Sequence, residues 1–288
     1  PIGYIIWRFF TFSRSLSSFF QSWDVFSLFF NTIALFFAVV STSLLIGLFV
    51  SISLTRIEIK GSKIWFTLCA LPLVIPSYIG ALTYVSAFSP KGLFVQLLSG
   101  QGLTEIAGLD GFIGSWIVLS LFTYPYVQLI CSSALRNLDV TVEEAARSLG
   151  RSRLQVYTSV VLPRLKKPII FSGLLVGLYV ISDFGAVSLL RYKTFTWSIF
   201  NQYEAGFDRN TAALLALALF LVATLFMTFE ILIRGNKKYY KNSSSASRKL
   251  PIIDIGRWRW PAAGICAFVS LVSVVIPLAV LSYWIVRG

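Results

Sequence analysis

The sequence predicts an all-α polytopic membrane protein. Three observations carry that prediction. The 288 residues are 56% hydrophobic and only 13% charged, against about 25% charged in a soluble domain. The apolar residues gather into runs long enough for a membrane-spanning helix, which takes about 20 residues. The runs are continuous rather than alternating, which favours helices over barrel strands.

Six spans follow in chain order: 28–54, 64–88, 112–135, 166–190, 211–233 and 260–286. Pro72, Pro76 and Pro125 fall inside spans, where proline kinks a helix or marks its start. Residues 1–10 are apolar but too short to span. No small-residue cleavage site follows them, which argues against a signal peptide. The chain starts at Pro1, so it reads as a fragment beginning near the end of a first transmembrane helix.

Loop charge orients the spans. Segment 55–63 holds Arg56, Lys60 and Lys63, and segment 136–167 holds Arg136, Arg147, Arg151, Arg153, Arg164, Lys166 and Lys167. Segment 234–259 carries Lys237, Lys238, Lys241 and further basic residues. The alternate segments 11–27, 89–111 and 191–210 are poor in Lys and Arg. The basic segments therefore face the cytoplasm. This placement also explains the net charge of +13 as topological, which argues against nucleic acid as a partner and for the lipid bilayer.

Other chemistries are thin. The chain has no histidine, which removes a His-based metal site or proton relay. Cys69, Cys131 and Cys266 all lie in apolar runs and read as small buried hydrophobes. No phosphate-cradling glycine loop and no nucleophile–base constellation occurs, so the chain reads as a non-enzyme with no catalytic residue, metal or cofactor of its own.

The polar segment 136–167 is unusually long for a loop between spans. Thr141 and Glu144 form a capping-box pattern for a helix from Glu143 to Leu149. Gly150 stands where a left-handed C-terminal residue belongs. Ser152 can cap a second helix from Arg153 to about Leu162, with Pro163 stopping it. Ala145 and Ala146 would let another protein approach closely, and Arg147, Arg151 and Arg153 offer planar donors for carboxylates. The alternative is an amphipathic loop lying on the inner leaflet.

Glu144-Ala145-Ala146, then Gly150 after three intervening residues, then Val160 and Leu162-Pro163 resemble the signature of permease subunits of binding-protein-dependent ABC importers. Every spacing fits, with Val160 in place of the usual isoleucine. Leu73-Val74-Ile75-Pro76-Ser77-Tyr78, Tyr124-Pro125-Tyr126-Val127, Ser182-Asp183-Phe184-Gly185-Ala186-Val187 and Phe207-Asp208-Arg209-Asn210 resemble the ferric-iron type, often single chains carrying two copies of a six-span unit.

The resemblance implies a helical bundle of the MetI-like kind, the transmembrane domain of a type I ABC importer. It implies that residues 1–234 are a first permease domain with a truncated first span, 235–259 a cytoplasmic linker with the tract Asn242–Ser247, and 260–288 the first span of a second repeat. Glu144, Ala145, Ala146, Arg147, Gly150, Leu162 and Pro163 would couple the chain to a dimer of ATP-binding subunits. ATP and Mg would be held there and not here. The other implied partners are a periplasmic or extracytoplasmic substrate-binding protein and the second permease half, all at a bacterial cytoplasmic membrane. Ferric iron is the implied cargo, with thiamine and phosphonate permeases sharing much of the pattern.

Asp183 is the outstanding intramembrane charge, placed toward the outer part of the 166–190 span. Either it lines a translocation path for a hard cation, or it is a structural carboxylate bonded to a neighbouring helix. Gly185 beside it permits close helix approach. Tyr124, Tyr126, Tyr78 and Ser77 are further path candidates, with interfacial anchoring as the alternative for the tyrosines. Asp208-Arg209 either meets the binding protein or caps the helix that begins near Asn210. Two rival functions stay open. An ion-coupled secondary transporter would use Asp183 and need no ATPase, and a membrane scaffold would show no transport.

Overall fold

The computed structural model describes residues 25–88, 109–138, 140–206, 208–234 and 256–287, together with Gly3, Trp7 and Gly92. The expected remnant of a first span, and the linker tract Asn242–Ser247, lie outside those residues. Every regular element among the described residues is helical.

Helix α1 (Val25–Arg56) ends at Arg56, at the basic end of the bundle, the inner side by the expectation from loop charge. Next come α2 (Ser62–Ala70) and a 3₁₀ turn (Leu71–Val74), then α3 (Ser77–Phe88). The expected single span 64–88 is thus two pieces, bent by 95° at the break. Proline causes it: Pro76 forces Ile75 out of the helical region, to ψ 116°. Helix α4 (Gly111–Arg136) returns inward and continues through Pro125.

Two short helices follow on the inner side, α5 (Val140–Ser148) and α6 (Arg153–Val156). A π turn (Tyr157–Val161) leads into α7 (Leu162–Ser182). The expectation that Pro163 stops the second short helix is therefore corrected. The helical path is continuous from Arg153 to Ser182. In the π turn Leu162 N–H donates to the Tyr157 carbonyl five residues back, a wider loop that accommodates a residue lacking its own donor. The expected span 166–190 also shifts inward. The apolar helix is Tyr157–Ser182, and Asp183, in extended conformation, ends it.

The outer side carries α8 (Gly185–Leu189) and α9 (Phe195–Glu204), and α10 (Arg209–Arg234) descends again. After a 3₁₀ turn (Gly256–Trp258), α11 (Arg259–Ser270), a second π turn (Leu271–Val275) and α12 (Ile276–Arg287) form the last crossing. The expected spans 28–54, 112–135, 211–233 and 260–286 agree with these helices to within a few residues.

Helix α4 is the centre of the bundle, 61% of its apolar window being buried, whereas α10 at 28% lies at the periphery. Leu35 and Val39 of α1, Val118 and Leu119 of α4, and Val176 of α7 form the main core. Phe26, Phe30, Phe37, Phe220, Leu221 and Leu225 remain exposed, as side chains that face lipid do. Bonds tie the outer ends together: Gly111 N–H to the Leu190 carbonyl at 2.6 Å, Asn31 Nδ2 to the Lys193 carbonyl at 3.0 Å, and Tyr192 Oη to the Asn31 carbonyl at 3.1 Å. Arg56, Arg136 and helix α5 lie together at one end of the bundle.

Candidate coupling site and translocation face

The inner segment is held by two complete capping motifs. Helix α5 starts at Val140, so Thr141 lies inside it and not at its cap, a correction to the predicted start. Its end is as expected. Gly150 has φ +82°. Its N–H donates to the Arg147 carbonyl at 3.0 Å, and Arg151 N–H donates to the Ala146 carbonyl at 3.3 Å. That pair of bonds is the Schellman arrangement, which favours glycine at the left-handed position. Two residues on, Gln155 N–H donates to Ser152 Oγ at 3.3 Å, while Ser152 N–H donates to Gln155 Oε1 at 2.9 Å. This reciprocal pair starts α6.

The two caps hold a turn that projects outward. Glu144, Ala145, Arg147, Leu149 and Gly150 are exposed, and Ala146 is half-buried. Leu149 is 84% exposed, large for an aliphatic side chain on the aqueous side. Of the predicted arginine donors, Arg151 is exposed and donates from Nη1 to Ser159 Oγ at 2.7 Å. Arg153 lies outside the residues whose side chains are described. Leu162 and Pro163 are exposed at the start of α7.

One contact of this segment was not legible in the sequence. Glu143, the residue before the Glu144-Ala145-Ala146 motif, is buried against Arg56 at the end of α1. Arg56 Nη2 donates to Oε1 at 2.7 Å and Nη1 to Oε2 at 3.1 Å. Arg56 is 1% exposed. In the sequence Arg56 counted only as a topological charge. Nothing local signals a partner 87 positions away.

At the outer side, the two oxygens of Asp183 are both occupied. Ser77 Oγ donates to Oδ2, and Ala186 N–H donates to Oδ1 at 2.9 Å. The Asp183 carbonyl accepts from Thr196 Oγ1 at 2.8 Å. Asp183 therefore sits where three elements meet: the broken span at the start of α3, the break after α7, and α9. Gly185 makes the close approach expected of it, since a Cβ there would lie 2.6 Å from Tyr78 Cβ.

The structure divides the predicted path residues. Ser77 and Asp183 touch, and Tyr179, one turn before Asp183, interacts with Ser77. Tyr179 also packs on Tyr126 with ring centroids 5.9 Å apart. Tyr78 is exposed beside them. Tyr124 stands apart. It is fully buried, and its hydroxyl meets Ser273 Oγ of the last crossing at 3.4 Å. Two residues of helix turn through about 200°, so Tyr124 and Tyr126 face nearly opposite ways. Tyr179 and Thr196 were missed by sequence reasoning. Asp208 resolves as a cap: its carboxylate accepts from Asn210 N–H, Thr211 N–H and Thr211 Oγ1 at 3.1, 3.0 and 2.7 Å. Among the described residues no group of three or more acidic, Cys or His side chains is placed to hold a metal ion.

The described helices form a membrane bundle of the MetI-like kind. Residues 43–235 match the family described as the binding-protein-dependent transport system inner membrane component, and the chain belongs to that family. It is 30% identical over 260 residues to the Fe(3+)-transport system permease protein FbpB 2 of Haemophilus influenzae, covering 90% of this chain and 48% of that one. It is also 30% identical over 191 residues to the sulfate transport system permease protein CysT of Salmonella typhimurium, with 64% and 67% covered. The putrescine transport system permease protein PotI of Escherichia coli is 27% identical over 209 residues, 71% of each chain.

The chain thus spans about half the length of its Haemophilus relative. Among solved structures, a bacterial alginate ABC transporter in complex with a pentasaccharide-bound periplasmic protein superposes with TM-score 0.62 at 18% identity, over 74% of this chain and 79% of that one. An amino acid ABC transporter superposes with TM-score 0.58 at 19% identity, over 77% and 99%. These likenesses establish the fold.

Proposed function

We propose that this chain is the first half of a two-copy permease in an ABC importer of a bacterial inner membrane, with ferric iron as its cargo. Residues 1–234 form the first permease unit, 235–259 a cytoplasmic linker, and 260–288 the first span of the second unit. Glu144, Ala145, Ala146, Arg147 and Gly150, with Leu162 and Pro163 behind them, form the seat for a separate ATP-hydrolysing subunit. That subunit binds ATP and Mg, and its dimer closes and opens with each cycle. The seat moves with it, and the bundle alternates between outward-facing and inward-facing states. Cargo arrives from an extracytoplasmic binding protein. Tyr126, Tyr179 and Tyr78 line the outer part of the route, Ser77 and Asp183 hold its helices together, and Tyr124 packs the last crossing.

The observation that carries this reading is the outward-projecting turn at Gly150, capped on both sides and exposing Leu149 at the basic end of a family member. A turn so fully bonded internally is preorganised for a partner. The iron assignment is supported by the 90% of this chain that aligns with the Fe(3+) permease.

Two experiments test the two parts. A cysteine at position 146, in the full-length importer, should form a cross-link to the ATP-hydrolysing subunit in membranes; no link at any nucleotide state sinks the docking assignment. Uptake of radiolabelled ferric iron, sulfate, putrescine and thiamine should then be compared in cells carrying the complete system. Iron uptake alone is expected. Sulfate or putrescine uptake would reassign the cargo and leave the coupling reading intact.

A further inference from the structure

The buried Arg56–Glu143 pair has no role in a docking surface, because neither side chain is available to a partner. Its position is nevertheless special. Of the described side chains of α5, Glu143 is the one that is buried, with Val142 and Ala146 half-buried and Thr141, Glu144, Ala145, Arg147 and Ser148 exposed. Glu143 is thus the buried point at which α5 is bonded to α1. Its partner is the last residue of α1, a helix that packs along both α4 and α7.

We propose that this pair is the strut through which movement of the coupling turn reaches the first span, Arg56 and Glu143 acting as positioning residues; the proposal rests on the coupling reading above. Three features support it. First, the contact is a fork against a carboxylate, with two parallel bonds. A fork fixes orientation as well as distance, so a tilt or slide of α5 is passed to α1 and not absorbed.

Second, a buried ion pair is a poor device for stability alone, because desolvation offsets most of the attraction, and well-packed apolar residues of like volume often serve as well. Third, the junction holds spare donors. Arg56 Nε and Tyr157 Oη are both buried without a hydrogen-bond partner. Tyr157 opens the π turn and lies within electrostatic reach of both charges. A carboxylate has about four lone-pair sites, and Glu143 uses two. Those two donors can fill the remaining sites, so the carboxylate stays paired while the intact fork carries α5 and α1 together.

The test uses the full-length importer with its ATP-hydrolysing subunits and binding protein in proteoliposomes, assayed with radiolabelled ferric iron, sulfate and putrescine in parallel. Two quantities are read: the ATP-hydrolysing subunit that co-purifies, and the ATP hydrolysed per cargo imported. The double variant Arg56→Met with Glu143→Leu leaves no unpaired charge. It should assemble as the wild type does but hydrolyse at least tenfold more ATP per cargo.

Arg56→Lys keeps the charge and gives up the fork, and should raise the ratio three- to tenfold. Glu143→Asp should fall between it and the wild type. A wild-type ratio in the assembled double variant overturns the strut. Should that variant fail to assemble, an unchanged ratio in Arg56→Lys overturns it instead. A purely structural pair would lower the amount of complex and leave the ratio alone. The position-146 cross-link in the same preparations separates the two ideas. Its absence in the wild type removes the docking reading, whereas its presence with normal coupling in the variants removes only the strut.

Discussion

Asp183 shows how far a single residue can be read without its neighbours. The sequence allowed a path carboxylate or a structural one, because a charge at depth demands a partner without naming it. The partners come from three separate places: Ser77, Ala186 and Thr196. With both oxygens accepting, the carboxylate joins the broken span to the end of α7. Asp183→Ala would strand the Ser77 hydroxyl and the Ala186 N–H, and should cost about 1–3 kcal/mol, seen as a lower unfolding midpoint in detergent. Asp183→Asn keeps an oxygen for Ala186, and the Ser77 hydroxyl can rotate to accept from its amide. Uptake by that variant should stay within about twofold of wild type, following from the modest net value of one neutral hydrogen bond. A tenfold loss of uptake in folded Asp183→Asn protein would restore the residue to the path. Asp208 followed the same logic more legibly, since its bonds lie within three residues of it.

Local chemistry made the elements readable wherever it was strong. Ile75 before Pro76 marks a break by steric rule, and Gly150 marks a left-handed stop; both appear in the structure. Pro163 misled, because a π turn just before it lets the helix pass. Such a turn has no sequence signal of the strength of a cap. The coupling turn yields a graded prediction. Gly150→Ala meets no steric obstacle from its Cβ but must hold φ +82°, a cost of about 1–2 kcal/mol. It should weaken co-purification of the ATP-hydrolysing subunit without abolishing it. Gly150→Pro cannot adopt that angle and also loses the N–H bonded to Arg147. It should abolish co-purification while the chain still inserts, as judged by membrane fractionation. Full assembly by the proline variant would mean that the turn is not the seat.

Long-range assembly is the part the sequence could not announce, because hydropathy marks spans but not which of them touch. The last crossing illustrates this. It follows a linker and is assigned above to a second unit, yet it lies on the first. Tyr84 Oη donates to the Val272 carbonyl, Tyr124 meets Ser273, and Cys69 Sγ lies 3.0 Å from Ser270 Oγ and 3.8 Å from the Cys266 carbonyl oxygen. Buried hydroxyls and thiols on α2, α3 and α4 thus find partners on one helix, which replaces bonds that lipid cannot supply. The three cysteines read as inert hydrophobes in the sequence, but two of them report this contact. With Cys131 changed to serine and a protease site placed in 242–247, a short membrane-permeant thiol cross-linker should join Cys69 to Cys266. The C-terminal fragment released by cleavage there, which carries the last crossing, should then remain attached in most chains, and separate when either cysteine is replaced. Efficient labelling of both thiols without any link would show that the last crossing packs elsewhere. In that case Tyr124 would lose its partner and return to the group of residues free to line the route.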